Sequence, residues 1–371
     1  MKLFAPKYYT QFRCIGGGCT KNCCIGWEID VDNATMARYN ALAGSDRAWI
    51  LDSISKDGEC PHFKLCDGER CTNLRDDNLC SIIAECGEDM IPEICREHPR
   101  FYNIQPDRCE VGIGLACPSA AELILSCPDH SAYEIGELDV KVSNASELEE
   151  SGDSTGKAEY AVCRVFRDAV NDFSKIASAY GIILFAAYHS SVTLSDLLFD
   201  ICKNPGCADG IKKDYFLSRP LKHIDTVSED VEVDAVISLL TSLEMLDLGY
   251  AEKIENAIRK SLSGKEETRK FITDNKESFF SLFQYFIYRH LPEGAFDGSV
   301  YERVVFAAIA AYTVLSLSSV GGRSILDEAV DFSRNIEYSD SNLYDFIDGV
   351  ASDGDIGVGF ILNLLKSDTN C

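Results

Sequence analysis

Residues 12–27, FRCIGGGCTKNCCIGW, place four cysteines around three consecutive glycines. The chain of 371 residues has 17 cysteines, and 13 of them lie within its first 127 residues. The first 13 residues, MKLFAPKYYTQFR, lack the continuous apolar core of a secretory signal, so the sequence predicts a cytoplasmic protein. Because thiols stay reduced in the cytosol, clustered cysteines in such a protein indicate metal binding more than disulfides.

The cysteines form two series whose spacing fits no single simple motif. They are Cys14, Cys19, Cys23 and Cys24, followed by Cys60, Cys66, Cys71, Cys80, Cys86, Cys95, Cys109 and Cys117. Neither series contains two clean C-x2-C pairs, which makes a zinc ribbon a weak match. The directly adjacent pair Cys23 and Cys24 also departs from the C-x3-C-x2-C motif of radical S-adenosylmethionine enzymes.

Iron–sulfur and zinc are both compatible with this set of thiols. A cubane-type iron–sulfur cluster tolerates irregular spacing if the fold gathers four thiolates. Zinc accepts the same thiolates, with His62 or His98 as substitutes. The alternative for any one cysteine is a small buried apolar residue, which we expect for Cys86, Cys109 and Cys127. Spacing alone leaves the identity of the metal open.

The formal net charge of -25 is spread along the chain rather than gathered in one tail. Such a surface does not neutralise phosphates, so the sequence predicts no nucleic-acid partner. A basic partner or a lysine-bearing substrate fits the charge better, and a simply solvated acidic surface is the alternative.

The sequence changes character near residue 130, which predicts three segments. Residues 1–129 are rich in Cys, Gly and Pro and predict a small, irregular, metal-binding domain. Residues 130–157 are polar and acidic, as in a linker or long loop. Residues 158–371 carry apolar side chains at helical spacing and predict an irregular helical bundle. The fold is therefore expected to be mainly α-helical, without a sizeable sheet.

Helical periodicity predicts the individual helices. The windows are 78–86, 92–97, 119–125, 162–177, 231–248, 251–263, 276–290, 299–318, 324–336 and 356–365. The stretch LPEG at 291–294 predicts a loop. The apolar run 304–317, VVFAAIAAYTVLSL, is shorter than the roughly 18 residues of a membrane span. We therefore expect a buried core helix there and no membrane partner.

Six stretches of the chain together resemble the flagellin lysine-N-methylase family. They are FRCIGGGCTKNCCIGWEIDVD (12–32), ERCTNLRDDNLCSII (69–83), GEDMIPEICREHPRFYN (87–103), EVGIGLACPSAAELIL (110–125), YFIYRHL (285–291) and FSRNIEYSDSNL (332–343). The resemblance implies a [4Fe-4S] cluster and transfer of methyl groups from S-adenosylmethionine to lysine side chains of flagellin. The metal ligands it implies are Cys14, Cys19, Cys23, Cys24, Cys71, Cys80, Cys95 and Cys117. The sequence departs from the family pattern in its additional cysteines, Cys60, Cys66, Cys86 and Cys109.

The last two of these stretches supply the candidate active-site residues. Glu337, Tyr338 and Tyr285 are the candidates for contact with the lysine, and Arg289, His290 and Asn342 for binding S-adenosylmethionine. A planar guanidinium such as that of Arg289 suits a carboxylate. The alternative is that Arg289 and Glu337 pair with each other and join two helices.

No glycine-rich nucleotide turn follows a predicted strand, so binding of S-adenosylmethionine rests on the resemblance. A function of another class is therefore kept open. The chain could be a non-catalytic interaction module that binds zinc or an iron–sulfur cluster, or a redox sensor that reports loss of the cluster through its thiols.

Overall fold

The structure is a computed structural model that describes residues 1–58, 60–137, 160, 163–164, 167, 229–353, 356–357, 359 and 361. The described chain is mostly α-helical, as predicted. It divides into two compact units, each built from separate stretches. One consists of Phe12–Phe101 and Ile113–Ala121, and the other of Met1–Gln11, Tyr102–Gly112 and the residues from Glu122 onward. The sequence-based prediction instead divided the chain into consecutive segments.

The described helices are numbered α1 to α12 and the strands β1 to β8. The helices are α1 (Asn33–Ala41), α2 (Gly44–Asp52), α3 (Ser81–Cys86), α4 (Glu93–Glu97), α5 (Pro118–Ser126), α6 (Glu229–Ser242), α7 (Tyr250–Ser263), α8 (Lys265–Asp274), α9 (Lys276–Asp297), α10 (Val300–Gly321), α11 (Ile325–Phe332) and α12 (Asp340–Ser352). The strands are β1 (Lys2–Pro6), β2 (Ile54–Ser55), β3 (His62–Phe63), β4 (Leu65–Cys66), β5 (Arg70–Cys71), β6 (Arg100–Ile104), β7 (Arg108–Ile113) and β8 (Ala132–Glu137). A π-helical turn, Ser333–Glu337, continues α11.

The unit built on Phe12–Phe101 contains eleven of the 17 cysteines. A shared side-chain cap helps to hold its short elements together. Asp32 is the N-cap of α1, where its Oδ1 accepts from Thr35 N at 2.8 Å, and its Oδ2 accepts from Glu93 N at 3.0 Å. Because one carboxylate satisfies the first turns of both α1 and α4, it fixes these two helices against each other.

A four-stranded sheet in the order β6-β7-β1-β8 was not predicted. Strand β1 pairs parallel with β7, with Leu3 opposite Cys109, and antiparallel with β8. Its strands have five or six residues, and β1 lies about a hundred residues or more from its partners β7 and β8 in sequence, so local alternation gave little signal. Residues 132–137 of the predicted linker form β8, whereas 138–157 lie outside the described residues.

The centre of the helical unit is the pair α9 and α10, each of 22 residues. Gly298 ends α9 with a left-handed conformation, φ 81°, that glycine adopts without strain. The Phe306 ring of α10 lies 5.6 Å from Phe286 of α9 and 5.2 Å from Phe346 of α12, edge to face in both cases. These aromatic contacts join three helices in one core.

The predicted loop at 291–294 is wrong, because α9 continues through Pro292 to Asp297. Proline has no N–H to donate to the carbonyl four residues earlier, which is that of Tyr288. The side-chain amide of Asn103 supplies that donor instead, with its Nδ2 lying 3.3 Å from Tyr288 O and 3.1 Å from Arg289 O. A hydrogen bond from outside the helix therefore replaces the missing one.

Helix α10 confirms the prediction of a buried core helix at 304–317. It is long and apolar enough to cross a membrane by length and composition, but 83% of its apolar window is buried inside the protein. Protein side chains therefore cover the surface that would face lipid in a membrane span.

Most of the other predicted helices exist with shifted ends. The window 231–248 ends early, at Ser242, and 324–336 divides into α11 and the π-turn. Helices α1, α2, α8 and α12 were not predicted. The predicted helix at 162–177 and most of the one at 356–365 lie outside the described residues.

Candidate active site and cysteine groups

Two separated stretches of the chain meet at the carboxylate of Glu337. Helix α9 contributes Tyr285, Arg289 and His290, and the π-turn contributes Ser333 and Glu337. We call these five residues the Glu337 cluster. In the π-turn Tyr338 N donates to Ser333 O, five residues earlier, at 2.9 Å. Such wide turns inside helices are frequent at functional sites.

The carboxylate of Glu337 is fully buried and is held on both oxygens. Tyr285 Oη donates to its Oε1 at 2.7 Å, and His290 Nε2 lies 2.9 Å from the same oxygen. Ser333 Oγ donates to Oε2. Arg289 Nη1 lies 3.4 Å from Oε1 and donates to Tyr285 Oη at 2.9 Å. The predicted alternative of an Arg289–Glu337 pair that joins two elements is therefore present in the structure.

The protonation states follow from burial and from these partners. Burial alone would raise the pKa of Glu337, but the charge of Arg289 and the bond to His290 outweigh it and lower the pKa to about 2. Burial lowers the pKa of His290 below its usual value, although Glu337 opposes this. Near pH 7, Glu337 is therefore ionised and His290 neutral, and since an ionised carboxylate only accepts, His290 Nε2–H is the donor.

Arg289 and Tyr338 connect this cluster to the protein surface. The guanidinium of Arg289 lies over the Tyr338 ring, with Cζ 4.7 Å from the ring centroid. The Arg289 side chain is 14% exposed, whereas that of Glu337 is not exposed. Burial would lower the pKa of Arg289, but Glu337 raises it above the usual value. The accessible edge of the cluster is therefore a permanent cation stacked on an aromatic ring.

Asn342 does not join the Glu337 cluster. Its Oδ1 accepts from Glu244 N at 2.9 Å and its Nδ2 donates to Glu244 O at 2.7 Å. Both polar ends of the amide are thus used to attach α12 to the loop after α6. The sequence analysis missed Ser333, although it lies four residues before Glu337 in the quoted motif.

The predicted metal ligands fall into two groups within one compact unit. Cys71 is buried in an apolar core, and Cys24, Cys80 and Cys95 pack against the same core. Burial is the main cause that raises the pKa of Cys95, and the thiols of Cys23, Cys80 and Cys71 raise it further. We call these five thiols, which pack against this core or act on the pKa of Cys95, the inner group.

The second group consists of Cys14, Cys19 and Cys117, and we call it the outer group. Burial raises the pKa of Cys117 to about 11, and Cys19 and Cys14 act in the same direction. Ser119 Oγ donates to Arg13 O at 3.1 Å, which holds the Cys14 segment against the start of α5. Of the additional cysteines, Cys60 and Cys66 are exposed, and Cys109 is buried in strand β7.

Among the described residues, no group of three or more His, Cys, Asp or Glu side chains has the arrangement that could hold a metal ion. The inner group nevertheless supplies thiol donors of the kind that zinc and iron–sulfur clusters use. A cluster of several iron atoms is larger than one ion and keeps its ligand sulfurs further apart. The donor chemistry of the inner group therefore fits either zinc or such a cluster.

Comparison with known proteins decides the family. The lysine-N-methylase of Salmonella typhimurium is 24% identical over 304 residues, which are 73% of this chain and 75% of that protein. The lysine-N-methylase of Salmonella choleraesuis is also 24% identical, over 306 residues. The flagellar biosynthetic protein FliU of Salmonella muenchen is 30% identical over 140 residues, or 36% of this chain and 80% of that protein. The chain belongs to the lysine-N-methylase family.

This lysine-N-methylase family member has no match among protein-family models or solved structures. Of the six active-site residues that the sequence predicted, five come together at Glu337 and its neighbour Tyr338, and Asn342 lies apart.

Proposed function

We propose that this protein is an S-adenosylmethionine-dependent lysine N-methyltransferase that acts on flagellin in the cytoplasm. The names of its relatives support lysine methylation, and the FliU relative supports a flagellar substrate. The observation that carries the proposal is one buried, ion-paired cluster that contains Tyr285, Arg289 and Glu337. These residues come from two family-like motifs, and Tyr285 and Glu337 are 52 residues apart in sequence.

Methyl transfer to an amine is an in-line displacement, so most of the rate enhancement comes from positioning the reactants. The reacting lysine nitrogen must be neutral. A fixed cation such as Arg289 disfavours an ammonium ion beside it and so lowers the pKa of a lysine that approaches the cluster. The partly exposed ring of Tyr338 attracts cationic groups such as the methyl-ammonium product.

Glu337 acts in this proposal through its neighbours. Its ionised carboxylate fixes the Tyr285 hydroxyl, the His290 imidazole and the Arg289 guanidinium in one arrangement. Because these groups are already ordered, little conformational entropy is lost when a substrate contacts them. Glu337 and Tyr285 are thus positioning residues, and Arg289 and Tyr338 are the groups at the accessible edge.

Arg289 fits a role in binding the carboxylate of S-adenosylmethionine, since it keeps its charge at the accessible edge. The bound cofactor would supply the electrophilic methyl group. Asn342 does not fit direct contact, because both ends of its amide bind the backbone of Glu244. His290 fits support of Glu337 better than cofactor contact, because it is almost fully buried.

We further propose that the inner group, Cys23, Cys24, Cys71, Cys80 and Cys95, holds a [4Fe-4S] cluster, with zinc as the alternative metal. Four thiolates complete such a cluster. The bound metal would cross-link short elements of a unit that has a small apolar core, and so would contribute directly to its folding.

The test is incubation of the anaerobically purified protein with S-adenosylmethionine labelled in the methyl group and flagellin from the source organism. We expect label on lysine side chains, and replacement of both Glu337 and Arg289 by Ala to reduce the transfer at least a hundredfold. Transfer that persists in this variant would exclude the Glu337 cluster as the site. Absence of label with the wild-type protein would favour the non-catalytic metal-binding module.

A matched control is Glu328→Gln on helix α11. Glu328 is another fully buried carboxylate, paired with Lys253 Nζ at 2.6 Å and Arg323 Nη1 at 3.3 Å. Loss of this charge destabilises the fold by a similar mechanism without touching the Glu337 cluster. We expect methyl transfer per folded molecule to be retained in Glu328→Gln and lost in Glu337→Gln.

A further inference from the structure

The surface next to the Glu337 cluster carries two exposed aromatic side chains. On α9, Glu293 and Phe296 follow Arg289 on the same helical face, at four and seven residues. On α12, Asp340 and Tyr344 lie four residues apart, shortly after Tyr338. Phe296 is 78% exposed and Tyr344 is 51% exposed. We call Glu293, Phe296, Asp340 and Tyr344 the aromatic–acidic strip.

Helices α9 and α12 contribute to one region of surface, because both contact the first turns of α10. Arg303 of α10 pairs with Glu293 of α9 at 2.9 Å, and three residues later Phe306 packs against Phe346 of α12, with ring centroids 5.2 Å apart. The charge of Glu293 is the main cause that raises the pKa of the Tyr344 hydroxyl, ahead of burial, and Asp340 and Asp297 add to it. Arg303 acts in the opposite direction. Three carboxylates therefore face Tyr344 together with one guanidinium, which leaves the region with an excess of negative charge.

A buried arginine holds two of these carboxylates, those of Glu293 and Asp297, in place. Arg303 has no exposed side-chain surface, and it donates to Glu293 Oε2 at 2.9 Å and to Asp297 Oδ2 at 2.7 Å. The Glu293 side chain remains 54% exposed. A buried arginine thus fixes carboxylates that also reach solvent, so an incoming cation meets ordered partners rather than mobile side chains.

We infer that the aromatic–acidic strip binds a lysine-bearing segment of the protein substrate, adjacent to the lysine that reaches the Glu337 cluster. Lysine has a long aliphatic stem that packs on aromatic rings and an ammonium group that carboxylates and ring faces attract. The strip offers both kinds of contact side by side. An anionic partner or nucleic acid is repelled by the same carboxylates.

The distance between the strip and the Glu337 cluster is one that a short stretch of extended peptide can span. Seven residues of α-helix separate Arg289 from Phe296, or about 10 Å at 1.5 Å per residue. An extended peptide covers that distance in roughly three residues at about 3.3 Å each. The inferred recognition element is therefore a lysine or another long-stemmed cationic side chain about three residues from the methylated lysine. This inference rests on the proposed function, because it assigns the strip to the same substrate.

Binding of monomeric flagellin, measured by calorimetry without S-adenosylmethionine, tests the inference separately from methyl transfer. We expect the double variant Phe296→Ala, Tyr344→Ala to weaken binding at least tenfold, as removal of two aromatic contacts does at other interfaces. Asp340→Asn should reduce the salt dependence of binding. Flagellin with acetylated lysines should bind at least tenfold more weakly than untreated flagellin.

Val320→Ala is the matched control. Val320 is a partly exposed apolar residue near the C-terminal end of α10. About 30 Å of helix separates it from the N-terminal end of α10, which follows Asp297. It should bind flagellin like the wild-type protein. Unchanged binding by the strip variants, unchanged binding of acetylated flagellin, or no flagellin binding by the wild-type protein would each overturn the inference.

The same proteins separate the inference from the proposed function. If the wild-type protein binds flagellin through the strip but transfers no methyl group, the inference stands and the proposed function falls. If methyl transfer occurs while the strip variants bind flagellin normally, the proposed function stands and the inference falls. If both hold, the strip variants should raise KM for flagellin at least tenfold and leave kcat within twofold of the wild type.

Discussion

Asn103 Nδ2 lies 3.3 Å from the carbonyl oxygen of Tyr288, the oxygen that Pro292 leaves without its usual helical partner. The two residues are 185 positions apart in sequence. This contact allows α9 to run unbroken past Pro292, and so to carry both Arg289 of the Glu337 cluster and Phe296 of the aromatic–acidic strip.

We predict that Asn103→Ala lowers the free energy of unfolding by about 1–2 kcal/mol, because it leaves a buried carbonyl without a donor. Pro292→Ala restores a backbone N–H for Tyr288 O, so Asn103→Ala should cost less in that background. Urea denaturation of the wild type, both single variants and the double variant measures this coupling. Additive effects would show that Asn103 does not replace the hydrogen bond lost to Pro292.

Glu337 should make stability depend on pH in the acid range. Its pKa is lowered to about 2 in the folded protein, from the ordinary glutamate value of 4.5. A lowered folded pKa contributes stability that is complete above the unfolded value and is lost as the pH falls towards the folded value. The shift corresponds to about 3 kcal/mol, at 1.36 kcal/mol per pH unit.

Glu337→Gln removes this titration and is the variant to compare. The difference in unfolding free energy between wild type and Glu337→Gln should be constant from about pH 5 to 7 and should shrink between about pH 4.5 and 2. Chemical denaturation across that range measures it. A difference that does not change with pH would mean that the folded and unfolded pKa values of Glu337 are equal.

Metal content should depend on the inner group of cysteines. We expect Cys71→Ser and Cys95→Ser to lose more than half of the iron, measured by elemental analysis, together with the brown colour of the anaerobically purified protein. Cys66→Ser, at an exposed additional cysteine, and Cys109→Ser, in strand β7, are the controls and should keep their iron. Zinc in place of iron in the wild-type protein would support the alternative metal.

Serine variants of the outer group show whether these cysteines also bind the metal. If Cys14, Cys19 and Cys117 also ligate the metal, their serine variants should lose iron as Cys71→Ser does. If only the inner group binds, these variants should keep their iron. Loss of iron in the outer-group variants alone would contradict the assignment to the inner group.

Some of the fold could be read directly from local sequence. The apolar run 304–317 is continuous and long, so it could only be a buried helix or a membrane span, and α10 is buried. The windows at 251–263 and 299–318 have clear helical periodicity, and α7 and α10 follow them closely. The sheet could not be predicted, because β1 finds its partners β7 and β8 only through the tertiary fold.

The candidate site was predicted in part, through the family-like motifs that contain Tyr285, Arg289 and Glu337. Nothing in those motifs shows that Tyr285 bridges Arg289 and Glu337, since the bridge depends on how α9 packs beside the π-turn. Asn342 lies in the same motif, but its amide is directed to the backbone of Glu244. Membership of a motif therefore did not distinguish a cluster residue from a structural one.

The sequence by itself determined the residue types: a cysteine-rich N-terminal part, an acidic chain, a continuous apolar helix and the polar residues of the two C-terminal motifs. Only the tertiary structure decided which of them act on each other. Arg289 and the hydrogen bond from His290 keep Glu337 an ionised acceptor despite its burial, whereas burial keeps His290 a neutral donor. Packing against one apolar core separates the inner group of cysteines from the outer group. The physical reason is that protonation and pairing depend on distance and solvent exposure, which local sequence does not contain.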